Sequence, residues 1–141
     1  MNHLVFLDTR AGELEKILSG TKTMLIKEFD PAQTTAHPVS PGDSLYFLRN
    51  NDERALRVKA TVTRVLSLTN NSDQDLSRSF KEMQPRLQLT EDQYTYWSAR
   101  KQVLLVELGS AHKIGVIHVA AHKIADRSDW IAFEEFSLIA E

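Results

Sequence analysis

The 141-residue chain contains no cysteine. That absence excludes disulfides, a thiol nucleophile and cysteine-ligated zinc together. Glycine and proline are scarce, at five and four residues, and neither a Gly/Ser linker nor a Gly-rich phosphate loop occurs. The spacings G-x-G-x-x-G, H-E-x-x-H and G-x-S-x-G are also absent, which removes most nucleotide-hydrolysing and serine-hydrolase chemistries. No apolar run approaches the roughly 18 residues that a membrane span requires. Met1 to Arg10 lacks the basic and apolar regions of a signal peptide, so a cytoplasmic location is expected. Charge of one sign is missing too. A formal net charge of -2 argues against a protein that coats nucleic acid by charge alone.

What is present fits one domain spanning residues 1–141, a length that buries enough surface to need no metal or disulfide. His3 to Leu7 reads as a short buried strand. Asp8 or Thr9 then caps a helix with Ala11, Leu14, Ile17 and Leu18 on one face, and Gly20 ends it. Lys22 to Phe29 is expected to be a strand. Asp30 to Pro41 holds three of the four prolines and reads as a long loop, of a kind that is often functional. Pro41-Gly42-Asp43 is a tight turn into a strand over Ser44 to Arg49.

The clearest strand is Leu56 to Leu66, where Leu56, Val58, Ala60 and Val62 alternate with Arg57, Lys59, Thr61 and Thr63. The alternation slips at Arg64-Val65, the mark of a bulge or a strand end. Two helices follow. Ser72 is placed to cap the first, Asp73 and Asp75 complement its dipole, Leu76, Phe80 and Met83 form its stripe, and Pro85 is expected to stop it. The second opens on a capping box of Thr90 and Gln93, with Leu89 and Tyr94 as a staple and Tyr94 and Trp97 facing inward. Val103 to Leu108 should be a central strand, Lys113 to Ile124 another, although Ile114, Ile117, Ala121 and Ile124 would also suit one face of a helix, and Phe136 to Ala140 the closing one. Strands on both sides of the helices, without regular βαβ alternation, give an α+β fold with an antiparallel or mixed sheet.

His118 and His122 are four apart, a metal-ligand spacing on a helix but about 13 Å apart along a strand. The strand reading makes them surface histidines, and no cofactor or metal is expected. His3, His37 and His112 have no partner visible in the sequence. Arg49, Arg54, Arg57, Lys59 and Arg64, against Asp52 and Glu53, form either a basic patch or a solvated strand face.

The strongest local pattern is Ile17-Leu18-Ser19-Gly20-Thr21-Lys22-Thr23-Met24-Leu25-Ile26-Lys27, a helix end, a glycine turn and a strand that opens with lysine. Lys22 suits a helix C-terminus, where carbonyls attract a cation, or a charge reaching into a cleft between helix and sheet. This passage resembles the opening motif of ASCH domains, relatives of the RNA-binding PUA domains. Pro41-Gly42-Asp43 before Leu45-Tyr46-Phe47 resembles their next landmark, and the order of later elements follows theirs over most of the chain. The resemblance implies a PUA-like curled β-barrel with about three short helices.

The departures are specific. The family pattern x-Lys-x-x-Glu-x-Arg is met at Lys22, but Leu25 stands at the glutamate and Lys27 at the arginine. Lysine keeps the charge and loses the planar fork. Relatives that hydrolyse N4-acetylcytidine use a lysine, a threonine three residues on and a distant glutamate. Here the threonine position is Leu25, and Glu82 is a loose counterpart of the glutamate.

Lys22 and Lys27 are five apart and would share a site only if Lys22 lay in the turn. Three readings stay open. One is a module binding RNA or a modified nucleoside through Arg10, Lys22, Lys27 and Arg49, with Tyr46 or Trp97 stacking on a base, although Trp97 also suits core packing. The second is a small hydrolase of an N4-acylated cytidine or of RNA. The third is a protein-interaction domain using the Asp30–Pro41 loop or the acidic end around Glu134 and Glu135.

Overall fold

A computed structural model describes residues 2–7, 12–28, 39–49, 55–69, 75–109, 111–120 and 130–133. They form seven strands and three helices: β1 (Asn2–Leu7), α1 (Glu13–Leu18), β2 (Met24–Glu28), β3 (Ser44–Arg49), β4 (Ala55–Thr69), α2 (Asp75–Leu87), α3 (Glu91–Ser98), β5 (Gln102–Leu108), β6 (His112–His118) and β7 (Trp130–Phe133). The sheet runs β2-β5-β4-β3-β1-β7, with β6 added on β4. It is mixed, since β1 and β3 are parallel while the other pairs are antiparallel. The expected α+β class, PUA-like curl and three helices are all present.

β4 organises the sheet. β5 pairs with its second half, Val62 to Thr69, and β6 with its first, Ala55 to Lys59. The register shifts between Val62 and Arg64, whose partners Leu108 and Glu107 are adjacent, so Thr63 is an extra residue. This is the bulge that the broken alternation foretells. On one face Val58, Ala60 and Val62 join Val5, Leu7, Leu25, Leu45, Phe47, Val106 and Leu108 in an interior cluster, into which α1 inserts Ile17. On the other, Leu66 and Leu68 pack beneath α2 and α3 with Met24, Phe80, Leu87, Val103 and Leu105. Leu4, Tyr46, Leu48, Val119 and Phe133 make a third cluster.

The helices follow their sequence signals with three changes. α1 begins at Glu13, because Gly12 takes a left-handed conformation (φ 64) and no side chain caps it; Asp8, Thr9 and Ala11 lie outside the described residues. α2 passes through Pro85 to Leu87. The proline there forfeits a bond to the carbonyl of Lys81, and both residues are on the exposed side of the helix's last turns, where the loss is small. β2 starts at Met24 rather than Lys22, because the N–H groups of Lys22 and Thr23 go to the carbonyls of Lys16 (3.0 Å) and Arg86 (2.9 Å) instead of to a strand.

The capping box is present, with Gln93 N donating to Thr90 Oγ1 (3.2 Å) and Thr90 N to Gln93 Oε1 (3.1 Å). Leu89, Tyr94 and Trp97 pack as the inner face of α3. Ser72, Asp73, Ile124 and the stretch Phe136–Ala140 fall outside the described residues, and β7 is the strand found at the edge beside β1. Among the described residues no helix is long and apolar enough to cross a membrane.

Phe80 is fully buried between α2 and the sheet. Phe80→Ala should therefore cost about 3–5 kcal/mol, and Thr90→Ala, which removes one cap, about 1 kcal/mol. Denaturant melts of the two variants measure both, and equal losses would contradict this placement of the helices.

Candidate functional site

The residues singled out in the sequence go to several places. Lys22 lies in the turn between α1 and β2, as a shared site with Lys27 required, yet it turns toward α2. The residue is 3% exposed, and its ammonium donates to the Leu87 carbonyl. Nearby, Lys16 Nζ donates to the Gln88 carbonyl at 3.2 Å, and Thr23 N takes that of Arg86. Three successive carbonyls at the end of α2 thus receive donors from α1 and the α1–β2 turn. The helix end that attracts Lys22 is that of α2, not of α1. Gln93 Nε2 adds a bond to Glu13 Oε1 at 2.7 Å, tying α3 to α1.

Lys27 lies on β2 two residues after Leu25, so it shares the interior face. Its Nζ lies 5.9 Å from the centroid of the Trp130 ring. Because β2 and β7 are the two ends of the strand order, this contact shows how far the sheet curls. Tyr46 is on the opposite face of β3, 7% exposed, packed against Phe133 and lying under Lys59 Nζ at 5.7 Å. Trp97 packs beneath α3, edge-on to Tyr96, in the core role that its spacing suggested. The backbone of Arg49 ends β3; its side chain and Arg10 lie outside the described residues, as do His37 and His122.

The most organised polar group was not found from sequence. His3, fully buried, has its Nε2 2.8 Å from Asp43 Oδ2, and Trp130 Nε1 donates to His3 Nδ1 at 3.1 Å. Asp43 Oδ2 also accepts from Ser40 N at 2.9 Å. An indole N–H can only donate, so Nδ1 carries the lone pair and Nε2 carries the proton given to Asp43. The neutral tautomer is therefore fixed by its neighbours. Strand register produces the arrangement: Leu45 pairs with His3 across the parallel β1–β3 ladder, which sets Asp43 beside it, while Trp130 pairs with Val5 and lies diagonal to His3. The sequence signal was a histidine sharing parity with Val5 and Leu7 in an apolar strand.

The electrostatics follow from burial. Burial lowers the His3 pKa from its ordinary 6.5; the hydrogen bond and charge of Asp43 oppose this, while the amino terminus and Lys27 reinforce it. Burial works to raise the Asp43 carboxyl, but the bonds from His3 and Ser40 N outweigh it and leave the pKa below its ordinary value. Burial brings Lys22 from 10.5 down to about 8, with Lys16 adding to the effect and Glu13 opposing it. Among the described residues no group of three or more His, Asp or Glu side chains is placed to hold a metal. A groove of about 530 Å³ between α2 and α3 is lined by Lys81, Gln84, Leu89, Thr90, Glu91, Tyr94 and Thr95. Two of its polar side chains are already engaged: Gln84 exchanges hydrogen bonds with the backbone of Leu89, and Thr90 caps α3.

Lys22 makes a definite pH prediction. Its pKa is lower when folded, so between about 8 and 10.5 the unfolded chain binds the extra proton and stability rises with pH. The rise attributable to this group is roughly 3 kcal/mol across that window. Denaturant titrations at pH 8 and 10.5 should show it in the natural chain and lose it in Lys22→Met. An unchanged slope in the variant would place the effect elsewhere.

No protein-family model matches the sequence, and no curated protein matches it. Solved structures do. A single-residue variant of the ASCH protein from Zymomonas mobilis superposes with a TM-score of 0.69 at 12% identity, covering 99% of both chains. The unmodified Zymomonas mobilis ASCH protein gives 0.68 at 12% identity, over 99% of this chain and 96% of the other. Identity so low carries the fold and nothing finer. The curled mixed sheet, with α1 packed on its interior side and α2 and α3 on its outer face, therefore has an ASCH-type fold.

Proposed function

We propose that the chain is one ASCH-type domain that binds single-stranded RNA or a modified nucleoside on the interior face of its curled sheet. The observation that carries this reading is the pairing of Lys27 with Trp130, a cation and an indole that are both half-buried beside the apolar interior cluster. A lysine supplies charge for a phosphate, and an indole supplies a flat surface for a base. The fold, shared with proteins described as ASCH, is in keeping with this choice. Lys22 supports the site from behind by holding the end of α2, and a cytoplasmic setting goes with the reading.

Hydrolysis of an N4-acylated cytidine is the second reading, favoured by one observation, the Lys22 pKa lowered to about 8. Against it, the ammonium is bonded to the Leu87 carbonyl, and Leu25, 4% exposed in the interior cluster, offers no hydroxyl to activate. Incubation with N4-acetylcytidine is expected to release no cytidine; release would reverse the order of the two readings.

The binding reading is tested by fluorescence anisotropy with a labelled mixed-sequence single-stranded RNA at low salt. Binding by the natural chain should weaken as salt rises, and Trp130→Ala should reduce it by the 1–3 kcal/mol, roughly 5- to 150-fold, that a stacked base is worth. Lys27→Ala should also weaken it and flatten its salt dependence. Equal affinity in all three proteins would remove the interior face as the site, and no binding by any of them would leave small nucleosides or a protein partner as the ligand.

A further inference from the structure

The chain of bonds Trp130–His3–Asp43 joins three parts of the sheet. Trp130 opens β7, His3 lies in β1, and Asp43 ends the turn that leads into β3. β7 is four residues long, stands at the end of the strand order and, among the described residues, pairs with β1 alone. Short edge strands are held by few ladder bonds, so a side-chain anchor matters more there than in the centre of a sheet. One polar side-chain anchor of β7 is the indole N–H of Trp130 on His3 Nδ1, beside the apolar packing of Phe133 against Tyr46.

That bond tolerates one protonation state. A protonated imidazole carries N–H on both nitrogens, and an indole N–H has no lone pair to offer. Uptake of a proton by His3 therefore sets two donors against each other at 3.1 Å, while the bond to Asp43 becomes charge-assisted and stronger. His3 changes from a bridge between β7 and the turn into a partner of the turn alone. The charged groups that act on it are Asp43 from the turn, Lys27 from β2 and the amino terminus of its own strand. On the other side of the indole, Lys27 packs against the ring.

We infer that His3 is a proton-operated latch on β7: neutral, it pins Trp130 and keeps the curled sheet shut against Lys27; protonated, it releases them. This device does not depend on which ligand the interior face takes. The sign follows from the environment. His3 binds its proton less readily than a free histidine, so the latch is closed at and above neutral pH and opens as pH falls below 6.5.

The chain has two tryptophans, so its amide NMR spectrum has two indole signals, and Trp97→Phe identifies that of Trp130. In the natural chain the Trp130 indole signal should move along the same titration curve as the His3 ring. Amide exchange in β7, corrected for its intrinsic pH dependence, should quicken about two- to tenfold, the factor that one lost hydrogen bond gives. His3→Gln should hold both flat, because a side-chain amide can donate to Asp43 and accept from Trp130 at any pH. An indole signal that stays still while His3 takes up its proton would overturn the latch, as would the same acid transition in His3→Gln. The first of these needs no substitution, so the inference stays testable even if the variant fails to fold.

Discussion

β4 can serve two halves of the sheet because one extra residue resets its alternation. Before Thr63 the even-numbered Val58, Ala60 and Val62 face the interior; after it the odd-numbered Val65 does, and Leu66 and Leu68 turn to the helices. Without the insertion, a strand of fifteen residues would carry one parity throughout and drive part of its apolar set into the wrong layer. The bulge also bends the strand. At the bend β4 receives its other partners: Val62 exchanges bonds with the Pro41-Gly42-Asp43 turn, and Gly109, between β5 and β6, donates to the carbonyl of Thr61 at 2.8 Å. The interior cluster and the position of Asp43 both depend on this one register shift.

From there the polar chain follows by geometry. Val62 N donates to the Asp43 carbonyl at 2.9 Å, and Gly42, at φ 92, donates to the Val62 carbonyl at 2.8 Å. With its backbone fixed on β4, Asp43 extends its carboxylate across to β1, and His3 carries the connection to β7. A buried histidine and aspartate without partners would cost several kcal/mol of lost hydration. Here both His3 nitrogens, Asp43 Oδ2 and Trp130 Nε1 have partners, so the same groups fix the relation of β1, β3 and β7. Such a network holds one arrangement more firmly than it adds net stability.

Much of this was legible in the residues, and the limits were physical. Period-two alternation placed β4, and its slip at Arg64-Val65, read as a bulge or a strand end, fell beside the extra residue Thr63. The spacing of Leu76, Phe80 and Met83 and the pairing of Thr90 with Gln93 placed α2 and α3, because these signals are local. The end of α2 was misjudged because proline forbids a helix only where its missing bond is needed. The start of α1 was misjudged because Gly12 breaks the pattern through its own dihedral rather than through a cap. The His3 group was invisible for a different reason. Its members are 40 and 127 residues apart along the chain, and the parallel β1–β3 pairing that joins the first two leaves no mark in sequence spacing. The site residues scattered for the same reason: Lys22 and Lys27 share a motif, but a turn and a strand send their side chains to different neighbours.

Leu25 ties these observations to chemistry. A glutamate at this position, as the ASCH pattern has it, would set a carboxylate among Val5, Ile17, Phe47 and Val106, where an unpaired charge is costly. Leucine removes that cost and extends the apolar interior up to Lys27. The polar part of the interior face is then displaced toward β1 and β7, where His3, Asp43 and Trp130 satisfy one another. A face built this way offers charge, an aromatic surface and shape. It does not offer, at position 25, an atom able to give or take a proton. Recognition by stacking and charge, as proposed, needs only the first set, whereas a covalent step at position 25 would need the second.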